Sequence, residues 1–164
     1  MANKHAVVRT DLMSGTDDRS RLVSIKYLGA DGKTPTAIDN GNILKVGDLV
    51  KGEREVYVGA APEASTALKD IVLVASPEVL YDEHKKNLDD FVNEAGTICR
   101  GYRLHQHDGF SVTADALDGE PTVGKTVNID AGTKMKVGGT GTKIGTIKEV
   151  ATAGRYTYYY IVID

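Results

Sequence analysis

The 164-residue sequence has no tryptophan, only two phenylalanines and a single cysteine, Cys99. One cysteine excludes an internal disulfide, so the chain shows no sign of an oxidising compartment. Long apolar runs are missing as well. The longest clean one, IVLVA at 71–75, is far too short for a membrane-spanning helix, and the opening MANKHAVVRT lacks the apolar centre of a secretion signal. There is no basic excess: 20 Lys and Arg stand against 23 Asp and Glu, a net charge of -3. Such a chain has no overall attraction to phosphate backbones, and neither nucleic acid nor a membrane is expected as its partner.

What is present is the grammar of strands. Eighteen glycines punctuate short stretches rich in Val, Ile, Thr and Tyr. LVSIKYL at 22–28 alternates as a half-buried strand does, and NILKVGDLV, EVYV and DIVLVA follow it with tight punctuation. From 97 onward the same pattern continues through TICRGYRL, GFSVT, KTVNI, TKMKVG, KIGTIKEV and RYTYYYIVI. The spacing predicts an all-β fold with at most one short helix, an antiparallel barrel or sandwich, over residues 21–164. Two half-barrels, 21–80 and 97–164, are expected, joined by a loop or short helix. Residues 76–96 carry the only helical signals: Ser76 as a cap, Pro77 at the first position, and Leu80, His84, Leu88 and Phe91 at helical spacing. A surface loop is the competing reading. Residues 1–20 hold little that could pack after AVV at 6–8, and read as an extended arm that a partner would have to order.

Two motifs suggest chemistry. GEPTVGKT at 119–126 matches the phosphate-loop pattern, but such a loop must deliver free N–H groups at a helix N-terminus, and the following VNIDAGTKMKVGG is too glycine-rich and strand-like to be one. An NTPase is therefore not expected. Cys99, His105, His107 and Asp108 are potential metal ligands or catalytic groups. Strand geometry sets the two histidines about 7 Å apart on one side, but no third ligand is visible and Arg103 disfavours a cation, so no metal and no cofactor is expected. Asp39, Asp108 and Glu120 read as turn carboxylates. The C-terminal strand is more telling. Tyr156, Tyr158 and Tyr160 share one face, which reads either as core packing or as a subunit contact, because tyrosine buries a large ring while its hydroxyl tolerates water.

HAVVRTDLMSGT at 5–16, GEREVYVG at 52–59, DIVLVASPEVLYDEHKKNLDDFVNEAG at 70–96 and RGYRLHQHDGFSVTADALDG at 100–119 together resemble a family of small capsid-associated proteins of tailed bacteriophages, the head or decoration proteins. The resemblance implies a non-enzymatic protein of the virion, made in the bacterial cytoplasm. It would bind the outer surface of an assembled capsid and reinforce it through a terminal arm and a β-rich body, with the major capsid protein as partner and a homotrimer as a plausible assembly. From position alone, Val7, Val8, Leu12 and Met13 would be buried on a coat subunit while Arg9 and Asp11 pair at the rim. A nucleic-acid-binding barrel is the alternative, and an NTPase or metal enzyme the remote one.

Overall fold

The computed structural model describes residues 3–164, which form two β layers around a shared core. The first layer is a closed five-stranded barrel: β1 (Leu22–Tyr27), β2 (Ile43–Leu49), β3 (Val56–Ala60), β4 (Ile71–Val74) and β5 (Cys99–Arg103), in the order β1-β3-β2-β4-β5, with β5 pairing back to β1. All its ladders are antiparallel except β1 with β3. The second layer is a six-stranded sheet of β6 (Gly109–Thr113), β7 (Leu117–Asp118), β8 (Thr126–Asn128), β9 (Met135–Val137), β10 (Lys143–Ala153) and β11 (Tyr156–Ile163), ordered β6-β11-β10-β8-β9-β7. The fold is all-β. Among the described residues, helix is confined to single 3-10 turns of three residues.

The apolar run in β4 explains how the layers join. A strand covered on both faces reads as a continuous hydrophobic run rather than an alternation. Val72 and Val74 point into the barrel, against Val23, Ile25, Leu44 and Cys99. Ile71 and Leu73 point the other way, into a larger cluster with Ile43, Tyr102 and Leu104 that also takes Phe110, Val112, Ile144, Ile161 and Ile163 from the second sheet. The barrel wall is thus also one side of the intersheet core.

The division between halves differs from the expected one. β5 closes the first barrel instead of opening the second half, because Cys99 packs in the barrel interior. The boundary falls at the turn around Gln106 and His107, where His107 takes a positive φ of 71°.

Residues 76–96 form a long loop containing one 3-10 turn, Leu88–Asp90. The helical spacing is overridden by side chains that offer the backbone other partners. Ser76 donates its N–H to the Asn40 side-chain Oδ1 at 3.0 Å and takes the Arg100 N–H on its hydroxyl at 3.0 Å. Asn93 donates to Ile38 O at 3.0 Å and to the Asn40 side chain at 3.1 Å. Asp82 and Asp90 accept from the His84 and Asn87 N–H groups. Both ends of the loop are therefore held to the barrel by buried amides, leaving no free run for a helix.

Candidate interaction surfaces

The two sets of residues singled out from the sequence, the N-terminal segment and the tyrosine face, meet at one place. Residues 7–9 lie antiparallel along the free edge of β6: Thr113 N–H donates to Val7 O at 3.0 Å, and Arg9 N–H donates to Ser111 O at 3.0 Å. Val8 forms a bridge with Val112. Successive side chains of an extended segment point to opposite faces. Val8 accordingly enters the intersheet core, where Met13 also packs, while Val7 packs on Tyr156 and Tyr158 across the sheet. The segment expected as a free arm is laid against its own body, and its residues 1 and 2 lie outside the described residues. Val7, Val8 and Met13 are 1%, 3% and 6% exposed, so they are not available to a neighbour. Leu12 alone among the apolar four is exposed. Arg9 and Asp11 pair with each other at 2.6 Å, and each holds the other's charge: the Arg9 pKa is raised and that of Asp11 lowered by their hydrogen bond.

The centre of this clasp is Asp89. Its carboxylate accepts from the Tyr156 hydroxyl at 2.7 Å and from the Lys4 N–H at 3.1 Å, with the Arg155 guanidinium 3.7 Å away. Its own N–H donates to the Tyr156 oxygen at 3.3 Å. One buried carboxylate so joins the N-terminal segment, the 76–96 loop and β11. Burial alone would raise the Asp89 pKa, but these donors outweigh it and hold the group below its ordinary value. The Tyr156 pKa is raised, first by burial and then by its bond to Asp89, and burial likewise raises that of Tyr158. Arg9 stacks over Tyr158 and Arg155 over Tyr156, at 5.6 and 5.4 Å from the ring centres. Two more carboxylates read as turn residues act at long range. Asp39 accepts from His5 and from the Ala6 N–H, and Asp108 pairs with Arg21 while also accepting the local His105 N–H. Tyr160, the third tyrosine, is half-buried with its ring across Gly109, where a side chain would collide with it.

The remaining motifs are dispersed. Cys99 is inside the barrel, its thiol pushed up to about 11 by burial, while His105 and His107 are exposed in the turn beyond β5. Among the described residues no group of three or more His, Cys, Asp or Glu side chains could hold a metal. GEPTVGKT runs into β8 rather than a helix, and Gly124 N–H is spent on Ile147 O at 2.8 Å. Lys125 reaches back to Glu120 O at 3.1 Å.

The surface that sequence reasoning missed lies between the 76–98 segment and the barrel. It is an open trough of about 740 Å³ lined by Leu22, Val79, Leu80, Tyr81, Phe91 and Ile98 among others. Tyr81 is 95% exposed and Val79 and Ile98 are more than half exposed. Apolar residues at helical spacing suggested a buried face here. With the helix absent, some of those side chains and their neighbours are left on the surface.

The structure is thus an all-β fold that carries an open trough beside residues 76–98. No protein-family model, curated protein or solved structure matches the chain.

Proposed function

We propose that this chain is a structural protein of a tailed bacteriophage that binds the outer surface of the assembled capsid and reinforces it, without a bond-making step. The observation that carries the reading is the exposed apolar trough beside residues 76–98, with Tyr81 almost wholly in solvent. Its exposed apolar side chains, set among Asp82, Lys85, Glu94 and Arg100, have the mixed character of a protein contact, at which tyrosine is favoured. The resemblance of the four sequence stretches to capsid decoration proteins names the kind of partner, and one of those stretches contains this loop.

Burial of Val7, Val8 and Met13 moves the proposed anchor from the N-terminal segment to the trough, with exposed Leu12 as the N-terminal contribution. A threefold assembly would also have to use a surface other than Tyr156 and Tyr158, which are 7% and 4% exposed. On a lattice many weak contacts add through repetition, so a modest trough suffices.

The test is co-sedimentation of the purified chain with undecorated capsids, comparing the unaltered sequence with a Val79→Ser, Tyr81→Ser, Ile98→Ser triple variant. Pelleting of the first and not of the second is expected. Equal pelleting would remove the trough from the contact, and no pelleting of either would overturn the capsid reading.

A further inference from the structure

The two flanks of the β6-β11-β10 part of the second sheet are treated differently. Next to β6 the free edge is sealed by residues 7–9 of the same chain. On the far side, β10 is paired to β8 only from Lys143 to Thr146, with one further exchange between Ile147 and the Gly124–Lys125 turn. Beyond Ile147, β10 has β11 as its only strand partner among the described residues. The hairpin turns through Gly154 at φ 61° and pairs Ala153 with Tyr156. In such a ladder alternate residues turn their backbone groups toward the partner and away from it. Ala153, Ala151 and Glu149 bond β11, and Val150 and Thr152 direct their N–H and C=O groups outward. Lys148 to Thr152 are all exposed.

Sheet edges are ordinarily blunted by proline, by several lysines or by a bulge within the edge. Here the irregularity falls at Lys148, where the open edge begins, and the stretch beyond it reads EVATA with one charge and no proline.

We propose that this edge is a homotypic contact, at which two copies of the chain join their β10 strands antiparallel about a two-fold axis at Ala151. The register is set by the backbone. Val150 of one copy and Thr152 of the other both present outward groups, so each such pair exchanges two hydrogen bonds and the contact has four. Ala151 then faces Ala151 in the narrow non-hydrogen-bonded position, where Cα atoms come within about 4.5 Å and a small residue fits. Glu149 meets Ala153, so within the regular ladder no like charges oppose. Val150 and Thr152 form a β-branched cross-strand pair of the kind that stabilises sheets. The edge is thus complementary to itself, the requirement for an isologous interface. The contact is independent of the trough, and serine substitutions there leave it unchanged.

The experiment uses the full chain with Ala151→Cys, which adds one exposed thiol to the buried Cys99. Facing Cα atoms at about 4.5 Å lie within disulfide range. Under mild oxidation the Ala151→Cys chain should form a covalent dimer much faster than a Val150→Cys control, whose two thiols sit two positions out of register. In sedimentation equilibrium, Ala151→Lys and Ala151→Glu should each self-associate about fivefold more weakly than the unaltered chain, and an equimolar mixture should recover the association. Equal cross-linking rates at the two positions would overturn the proposal. So would a mixture no more associated than its parts, or cross-linking of Ala151→Cys to capsid protein in place of itself.

Discussion

Residues 3–14 and residues 76–98 are both irregular segments, and their fates are opposite. The first is short of apolar residues, yet Ala6, Val7, Val8 and Met13 are all buried. The second holds Val79, Leu80, Tyr81, Leu88, Phe91 and Ile98, yet none of these is fully buried. What separates them is backbone pairing. Residues 7–9 find an open sheet edge that takes the Val7 carbonyl and the Arg9 N–H, with the Val7 N–H on the Thr113 hydroxyl, and the alternation of an extended strand then delivers one valine to each face. The 76–98 segment meets a closed barrel whose strands have no free edge; its backbone makes one isolated bridge, Asn93 with Ile38, and is otherwise held by Ser76, Asn93, Asp82 and Asp90, so its apolar side chains remain outside. Hydrophobic content did not decide which segment is buried. Access to an unpaired strand did.

Substitution at matched positions sharpens this contrast. Val8→Asp should have the largest effect, about 3–5 kcal/mol in denaturant unfolding, because it places an unpaired charge in the intersheet core. An unchanged midpoint would mean that the segment is not part of that core. Asp89→Ala comes next, at about 1–3 kcal/mol, since it strands the buried Tyr156 hydroxyl and frees the Lys4 backbone. Proteolysis should then cut first near residues 4–14, and no new cleavage there would break the link between Asp89 and the N-terminal segment.

The same carboxylate makes the clasp sensitive to acid. Its folded pKa is depressed, so its contribution is present above the unfolded value of about 3.9 and is lost as pH falls through the lower folded value. Tyr156 has the reverse sign. Its pKa is raised, so its contribution is present below about 10 and declines as the pH climbs through the folded value. A pH series of unfolding midpoints for the unaltered chain and Asp89→Asn should converge at the acid end, and parallel curves would exclude Asp89 as the acid-labile tie. The smallest effect belongs to the exposed segment: Tyr81→Ser should move stability by no more than about 0.5 kcal/mol. A loss of several times that would show Tyr81 to be packed rather than presented.

Much of the fold was legible in the residues. The β-rich class and the two faces of the C-terminal strand follow from side-chain period, and Ile161 and Ile163 do pack opposite Tyr156 and Tyr158; that IVLVA is covered on both sides was seen only in the structure. The candidate surface was barely legible. Tyr81 sits in a stretch with helical spacing, and only the competition from Ser76, Asn93, Asp82 and Asp90 for the backbone reveals that the spacing is not used. The clasp was half legible: the Tyr156 and Tyr158 face was seen, but not what covers it, because a two-valine match is too short to identify a strand without the edge it joins.

By itself the order of amino acids determined most of the segments that are strands and which faces of those strands are apolar, because both follow from interactions within a few residues, whereas β7 and the pairing of residues 7–9 did not show in it. The tertiary structure alone decided that β5 closes the first barrel, that β1 runs parallel to β3, and that the N-terminal residues seal β6. Those outcomes depend on which backbone edges remain unpaired once the layers have packed, a property of the assembled sheets that no local stretch of sequence carries.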